Sequence, residues 1–431
     1  MISVLGPERA DSHLPIMAES ARIRDVLLAT HAQTELDIVD IRQEATDNVR
    51  AQLGYVDADD IDISDLIDTR AQKSPMIPPI LLGAALSMTE QSAETTREAR
   101  SEVADIYAHR NPKLAVALGE CAVYNVDATM EYGSHVLRFM RMFPNLKLLQ
   151  RTFFEKPRTF KAKGAETSWK GFLYDPLLDG TDDINLGAVA ARMLACRLTD
   201  MGIPLIKEQL NAQTPQITDG LITQDNIGAR NAHDQKAMEF SSATSAIAGH
   251  KNSVEGDIAI AAAAAATAHS AHTFLGMDYE GRLCLVTGLG NNTAHFILRG
   301  GREGPNYSPE AIAEARGVAE ELNLIASLGV DASHDNSGKK AANQPIVVQS
   351  ISEQIESGEE AIRAVHLETA LVGGQQKLVK GKPLHEYVYG QSVTDECAGL
   401  DATEAMLSRL DEAAAKRQER STKPLVGART N

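Results

Sequence analysis

From residue 113 onward, apolar residues gather in runs of strand length. Each run is followed by a polar loop and then by a stretch with apolar positions at helical spacing. Eight such runs predict strands at 114–119, 146–154, 204–209, 226–230, 246–251, 295–300, 326–333 and 364–368. Helix-like segments, among them 188–201, 308–322 and 349–361, alternate with them. Eight alternating units predict an α/β fold, a (β/α)8 TIM barrel. One interruption breaks the alternation: residues 272–277 and 283–287 pair naturally around Tyr279-Glu280-Gly281 and predict a β-hairpin inserted between strands five and six. The alanine-rich run 258–268 reads as a tightly packed barrel helix.

The chain before the barrel has a different texture. Residues 17–53 carry apolar positions at helical spacing, residues 57–68 are strongly acidic, and Ser74-Pro75 to Pro78-Pro79 reads as a linker. Residues 80–108 read as one helical segment. The pattern divides the chain into an N-terminal helical extension and linker (1–79), the barrel (80–418) and a flexible C-terminal tail (419–431).

Composition narrows the partners. Among 431 residues, 42 Lys and Arg stand against 59 Asp and Glu, a formal net charge of −17. This balance argues against nucleic acid or an anionic membrane as partner, since neutralising phosphates takes clustered cations. The alanine-rich run is too short to span a bilayer, and the first 30 residues do not resemble a secretory signal. Four widely spaced cysteines give no disulfide framework, so a cytoplasmic location is expected.

Residues at the carboxyl ends of barrel strands converge on one site. The predicted ends and the loops after them carry six cations: Arg151, Lys156, Arg158, Arg230, Lys251 and Arg299. In an acidic chain, six cations on one face predict a polyanionic ligand bearing phosphate and carboxylate. Cys121, His334, Glu368 and Asp395 form a second set, whose mixed sulfur, nitrogen and oxygen donors suit a first-row divalent metal rather than Mg²⁺ or Ca²⁺. The chemistry alone predicts a metal-assisted reaction on a phosphorylated acid.

Several segments resemble a known family. Phe154-Glu155-Lys156-Pro157-Arg158-Thr159, Trp169-Lys170-Gly171, Asp175-Pro176 and Ile227-Gly228-Ala229-Arg230 are similar to motifs of type I 3-deoxy-D-arabino-heptulosonate 7-phosphate (DAHP) synthases. Lys251-Asn252, Ile297-Leu298-Arg299-Gly300-Gly301, Gly304-Pro305-Asn306-Tyr307, Ser333-His334, Val365 to Glu368 and Ser392-Val393-Thr394-Asp395 continue the resemblance in order. It implies a metal-dependent condensation of phosphoenolpyruvate with erythrose 4-phosphate, the entry to the shikimate pathway. By motif, Arg151, Lys156, Arg230, Lys251 and Arg299 would hold phosphoenolpyruvate, and Arg158 with Thr159 the acceptor's phosphate. Cys121, His334, Glu368 and Asp395 would bind the metal, Mn²⁺ first, with Fe²⁺, Co²⁺ or Zn²⁺ as alternatives. Lys156, Glu208 and His334 are the candidate catalytic groups. A homodimer or homotetramer is implied as well.

The chain departs from the family pattern on the acceptor side. Gly119-Glu120-Cys121-Ala122 stands where the family has Gly-Pro-Cys-Ser, and roughly six extra residues, 161–166, follow Thr159. Asn231-Ala232-His233-Asp234 replaces a Thr/Glu/Ser-rich stretch, His250 replaces Phe, and Asn252-Ser253 replaces Asn-Gly. Glu120 beside a phosphosugar would repel it unless paired or turned away. These changes keep two other readings open: a related synthase using another aldehyde, such as an amino-sugar phosphate, and an inactive barrel kept as a regulator. His233, His250 and His366 are expected in packing or surface roles.

Overall fold

The computed structural model describes residues 16–31, 74–157, 169–211, 213–379 and 381–422. Helix α1 covers residues 16–31. It lays Ile16, Met17 and Leu27 into the main apolar core and pairs Glu19 with Arg197 at 3.1 Å. The rest of the predicted extension, residues 1–15 and 32–73, lies outside the described residues. The segment expected as one helix over 80–108 is two, α2 (Pro79–Ala85) and α3 (Glu90–Tyr107). The physical reason is the cap at Thr89: its side chain accepts from Ser92 N–H at 3.0 Å, and its backbone is extended, so the helix cannot run through it.

Eight parallel strands then close a barrel. They are β1 (Leu114–Leu118), β2 (Leu146–Arg151), β3 (Leu205–Gln209), β4 (Gln224–Ile227), β5 (Ile247–Lys251), β6 (His295–Leu298), β7 (Leu328–Asp331) and β8 (Ile362–His366). The strand order around the barrel is β1-β8-β7-β6-β5-β4-β3-β2. These strands are buried on both faces and therefore read as short, nearly continuous apolar runs such as Leu114-Ala115-Val116-Ala117-Leu118. Their outer faces pack under α4 (Val126–Met142), α5 (Ile184–Asp200), α6 (Gln235–Ala243), α7 (Ile258–Ala268), α8 (Pro309–Glu321), α9 (Gln344–Glu356) and α10 (Leu400–Thr422). Asn125, Asp183, Asp257 and Ser308 cap four of these helices. Helix α10 runs past residue 418, and residues 423–431 lie outside the described part.

The barrel interior sets where a ligand can sit. At the amino ends of the strands, Val103, Ile106 and Tyr107 of α3 pack against the inward side chains Ala115, Ala117, Leu149, Ile206, Ile247 and Ala364. The Tyr107 ring stacks on His295 with centroids 3.7 Å apart. Helix α3 thus closes the bottom, and the cations and metal-type donors gather at the carboxyl end. The inserted hairpin is present between β5 and β6, pairing His272–Met277 with Leu283–Gly288. Its outer face leaves Leu275, Leu283 and Leu285 exposed.

Candidate active site

The carboxyl end of the barrel brings the predicted groups together. Arg151, the last residue of β2, is fully buried. Its Nη2 donates to Glu368 Oε1 at 3.0 Å, its Nε donates to the Glu120 carbonyl at 3.1 Å, and its guanidinium lies 3.9 Å from the Phe153 ring centre. Its Nη1 has no partner among the described residues. A buried guanidinium nitrogen left without an acceptor marks a place for a ligand oxygen.

Lys156 sits in the loop after β2, pinned by a second loop. Its backbone N–H donates to the Lys170 carbonyl at 2.8 Å, and Leu173 N–H donates to the Phe154 carbonyl at 2.9 Å. Gly171 makes this possible, because at φ +108° a Cβ there would stand 2.5 Å from the Phe154 oxygen. Lys156 Nζ reaches the Cys121 carbonyl at 2.8 Å and Cys121 Sγ at 3.0 Å. Burial works against its charge, but Cys121, Glu208, Glu368 and Asp395 outweigh that and hold the ammonium above its ordinary range. Glu208, on the inner face of β3, is thereby placed beside Lys156.

The metal-type donors also converge. Sγ of Cys121 and carboxylate oxygens of Glu368 and Asp395 lie within 4.8 Å of one another. Burial, joined by Glu368 and Asp395, pushes the Cys121 thiol up to about 12. His334 stands beside this trio rather than within it: its Nε2 is 3.7 Å from Glu368 Oε1, and it does not join the three donors that lie within 4.8 Å of one another. Its tautomer follows from its neighbours. Ser333 donates its hydroxyl proton to Asp331 Oδ1 at 2.6 Å, which leaves the Ser333 oxygen as an acceptor. Nδ1 of His334 faces that oxygen at 2.8 Å and Asp331 Oδ2 at 2.8 Å. The Ser333 oxygen, left as the acceptor, puts the proton on Nδ1, with the Asp331 carboxylate close by, and leaves the Nε2 lone pair on the side of Glu368. A lone pair facing a carboxylate, beside a thiol and a second carboxylate, fits a cation placed between them.

The remaining cations sit on neighbouring strands. Lys251 ends β5, and its Nζ lies 2.9 Å from Asp331 Oδ2. Arg299, just beyond β6, is buried and ion-paired with Asp335. Arg230 lies in a one-turn helix after β4, exposed and with no ion pair among the described residues. Arg158 and Thr159, with the extra residues 161–166, lie outside the described residues. Of the histidines expected in packing or surface positions, His250 and His366 are buried, and His233 is on the surface. Glu120 is turned away from the site. It is buried against α4, where its Oε2 accepts from Thr129 Oγ1 at 3.4 Å, and burial pushes its carboxyl up to about 8.

Sequence reasoning missed the groups that hold these side chains in place. Asn252, Asn306 and Asn336 lace three strand ends together. Arg299 N–H donates to Asn252 Oδ1 at 2.7 Å, and Asn306 Nδ2 donates to the same oxygen at 3.2 Å. Asn336 donates to the carbonyls of Leu298 at 3.1 Å and Asp331 at 2.8 Å, and its own oxygen accepts from Asn306 N–H at 2.8 Å. Asp331 and Asp335 were also missed. Their role lies in contacts across strands, Asp331 at the end of β7 and Asp335 in the turn after it.

Comparison with known proteins identifies the family of the chain. The model of the DAHP synthetase I family matches residues 88–408. The chain belongs to that family. A phospho-2-dehydro-3-deoxyheptonate aldolase of Alternaria alternata is 36% identical over 349 residues, covering 80% of this chain and 91% of the relative. The Phe-sensitive enzyme of that name from Escherichia coli is 36% identical over 344 residues, 80% of this chain and 95% of its own length. The solved structure of the aldolase from Francisella tularensis SCHU S4 aligns with a TM-score of 0.77 at 35% identity, over 81% of this chain and 99% of that one. A DAHP synthetase I barrel accounts for both the closed eight-stranded sheet and the order of the motifs. No helix among the described residues is long and apolar enough to cross a membrane.

Proposed function

We propose that this barrel carries out the reaction of its family: it joins phosphoenolpyruvate to erythrose 4-phosphate, giving DAHP and phosphate. The observation that carries the reading is the buried Arg151 with one nitrogen unpartnered, next to a Cys, Glu and Asp donor trio flanked by His334, within a chain of this family. Arg151, Lys156, Arg230, Lys251 and Arg299 hold the phosphate and carboxylate of phosphoenolpyruvate. Arg158 and Thr159 hold the acceptor's phosphate. Cys121, His334, Glu368 and Asp395 hold a divalent metal, Mn²⁺ in the first place. When bound, it supplies Lewis acidity that polarises the acceptor's aldehyde.

This chain's own groups do the rest. The cations orient phosphoenolpyruvate so that its methylene carbon meets the aldehyde carbon and a C–C bond forms. Lys156, held protonated, is placed to give a proton to the oxygen that becomes the new hydroxyl. Glu208 takes a proton from the water that adds to the former enol carbon. The bond from that carbon to the phosphate oxygen then breaks, its electron pair leaving with the phosphate, and the proton of the added hydroxyl passes to the departing phosphate, which leaves the ketone of the product. His334 orients the site through its Nδ1 partners and offers Nε2 to the metal.

Erythrose 4-phosphate is favoured over an amino-sugar phosphate because the relatives named above carry the aldolase name. A regulatory, inactive barrel is disfavoured because the sequence keeps every metal-type residue and every phosphoenolpyruvate cation that the family resemblance calls for. We assign the enzyme to the cytoplasm and to a homodimer or homotetramer. The test is phosphate release from phosphoenolpyruvate with Mn²⁺ and erythrose 4-phosphate, with chelator and no-aldehyde controls. Turnover that needs both metal and aldehyde is expected. No turnover, with phosphoenolpyruvate still bound, would transfer the reading to another aldehyde.

A further inference from the structure

The cation side and the metal side of the site meet at one carboxylate. Asp331 ends β7 and is fully buried. Its Oδ1 is anchored by Ser333, which donates its N–H at 3.0 Å and its hydroxyl at 2.6 Å. Its Oδ2 lies 2.9 Å from Lys251 Nζ and 2.8 Å from His334 Nδ1. Both approaches are too oblique to count as formed hydrogen bonds. One oxygen is thus shared between two donors and committed to neither.

We propose that Asp331 is a positioning residue that couples the two halves of the site, so that a cation held by His334 tightens the grip of Lys251 on an anion. This rests on the functional reading above. When Nε2 of His334 gives its lone pair to a cation, the Nδ1–H bond becomes more polar and a better donor. Oδ2 of Asp331 then turns toward His334 and away from Lys251, and the freed ammonium is available to an anionic oxygen. Because Ser333 fixes Oδ1, the carboxylate can only pivot, and the gain at one neighbour is a loss at the other. Linkage makes the effect reciprocal: an anion that takes Lys251 leaves Asp331 to His334 and strengthens cation binding.

The test is a pair of calorimetric titrations on the full chain: phosphoenolpyruvate with and without Mn²⁺, in the unsubstituted enzyme and in Asp331→Asn. The unsubstituted enzyme is expected to bind phosphoenolpyruvate about tenfold more tightly when Mn²⁺ is present. In Asp331→Asn that ratio is expected to shrink by about threefold or more. Its metal-free phosphoenolpyruvate affinity should hold or rise, since Lys251 loses a competitor, while Mn²⁺ binding weakens about 10- to 100-fold. A ratio that changes less than that overturns the coupling, because a purely structural role would weaken both titrations alike. If Asp331→Asn does not fold, ¹⁵N spectra of the unsubstituted, Zn²⁺-loaded enzyme decide: a His334 signal with Nδ1 protonated supports the arrangement, and an unprotonated Nδ1 ends it. Failure of the unsubstituted enzyme to bind phosphoenolpyruvate at all would instead bring down the functional reading, and this proposal with it.

Discussion

At the scale of single residues, the site works by leaving selected groups unfinished. Arg151 is wrapped by Glu368, the Glu120 carbonyl and the Phe153 ring, yet keeps Nη1 unpartnered among the described residues. A lysine could satisfy Glu368, but it could not also present a planar second donor in a fixed direction. Arg151→Lys should therefore keep the fold and lower kcat/KM for phosphoenolpyruvate about 10- to 100-fold, the range expected for losing one charged hydrogen bond. Steady-state kinetics check this, and a variant within about threefold of the unsubstituted enzyme would take Arg151 out of the donor site.

At the scale of elements, much of the architecture was legible and some of the site was not. All eight strands and the inserted hairpin stand near their expected places, because parallel strands buried on both faces leave apolar runs that polar loops interrupt. Their ends were harder to read. The run 146–154 continues past the last ladder residue, Arg151, since Phe153 and Phe154 are buried in the loop that presents Lys156. The cations and the metal-type donors were legible as types that are rare at such positions in an acidic chain. Asp331, Asp335 and Asn336 were not, because their importance lies in what they touch across strands, and spacing along the chain carries no trace of it.

The turn that carries His334 illustrates the point. His334 sits at φ +50°, an uncommon conformation for a residue with a side chain, and the turn abuts the end of β6 at Gly300. A Cβ at Gly300, where φ is +75°, would meet Asn336 N at 2.6 Å and Asp335 C at 2.7 Å. Gly300→Ala should cost about 1–3 kcal/mol of stability and weaken Mn²⁺ binding about tenfold or more by shifting His334. Equilibrium dialysis with Mn²⁺ measures the second effect. Unchanged binding would show that this turn does not set the position of His334.

At the scale of the whole molecule, burial of titratable groups away from the site shapes the response to acid. His250 is buried with both ring nitrogens unpartnered among the described residues, and burial lowers its pKa to about 4. A histidine neutral in the folded state and free to protonate when unfolded contributes stability above its unfolded pKa of about 6.5 and loses it as pH falls toward the folded value. Between pH 7.5 and pH 5 this one group should remove about 2 kcal/mol. His250→Phe should flatten that part of the acid limb, seen as a smaller drop in urea midpoint between the two pH values. An unchanged drop would mean that His250 is solvated or partnered in solution.

The seal that α3 makes at the amino ends of the strands has a consequence for traffic. A chamber with a floor has one doorway, and arrivals and departures share it. Arg151 and Lys251 lie deep, whereas Asp395 stands exposed near the mouth. On the function proposed above, an anion held by the deep cations would enter before a partner that settles near the mouth, and the closed floor alone would impose that order.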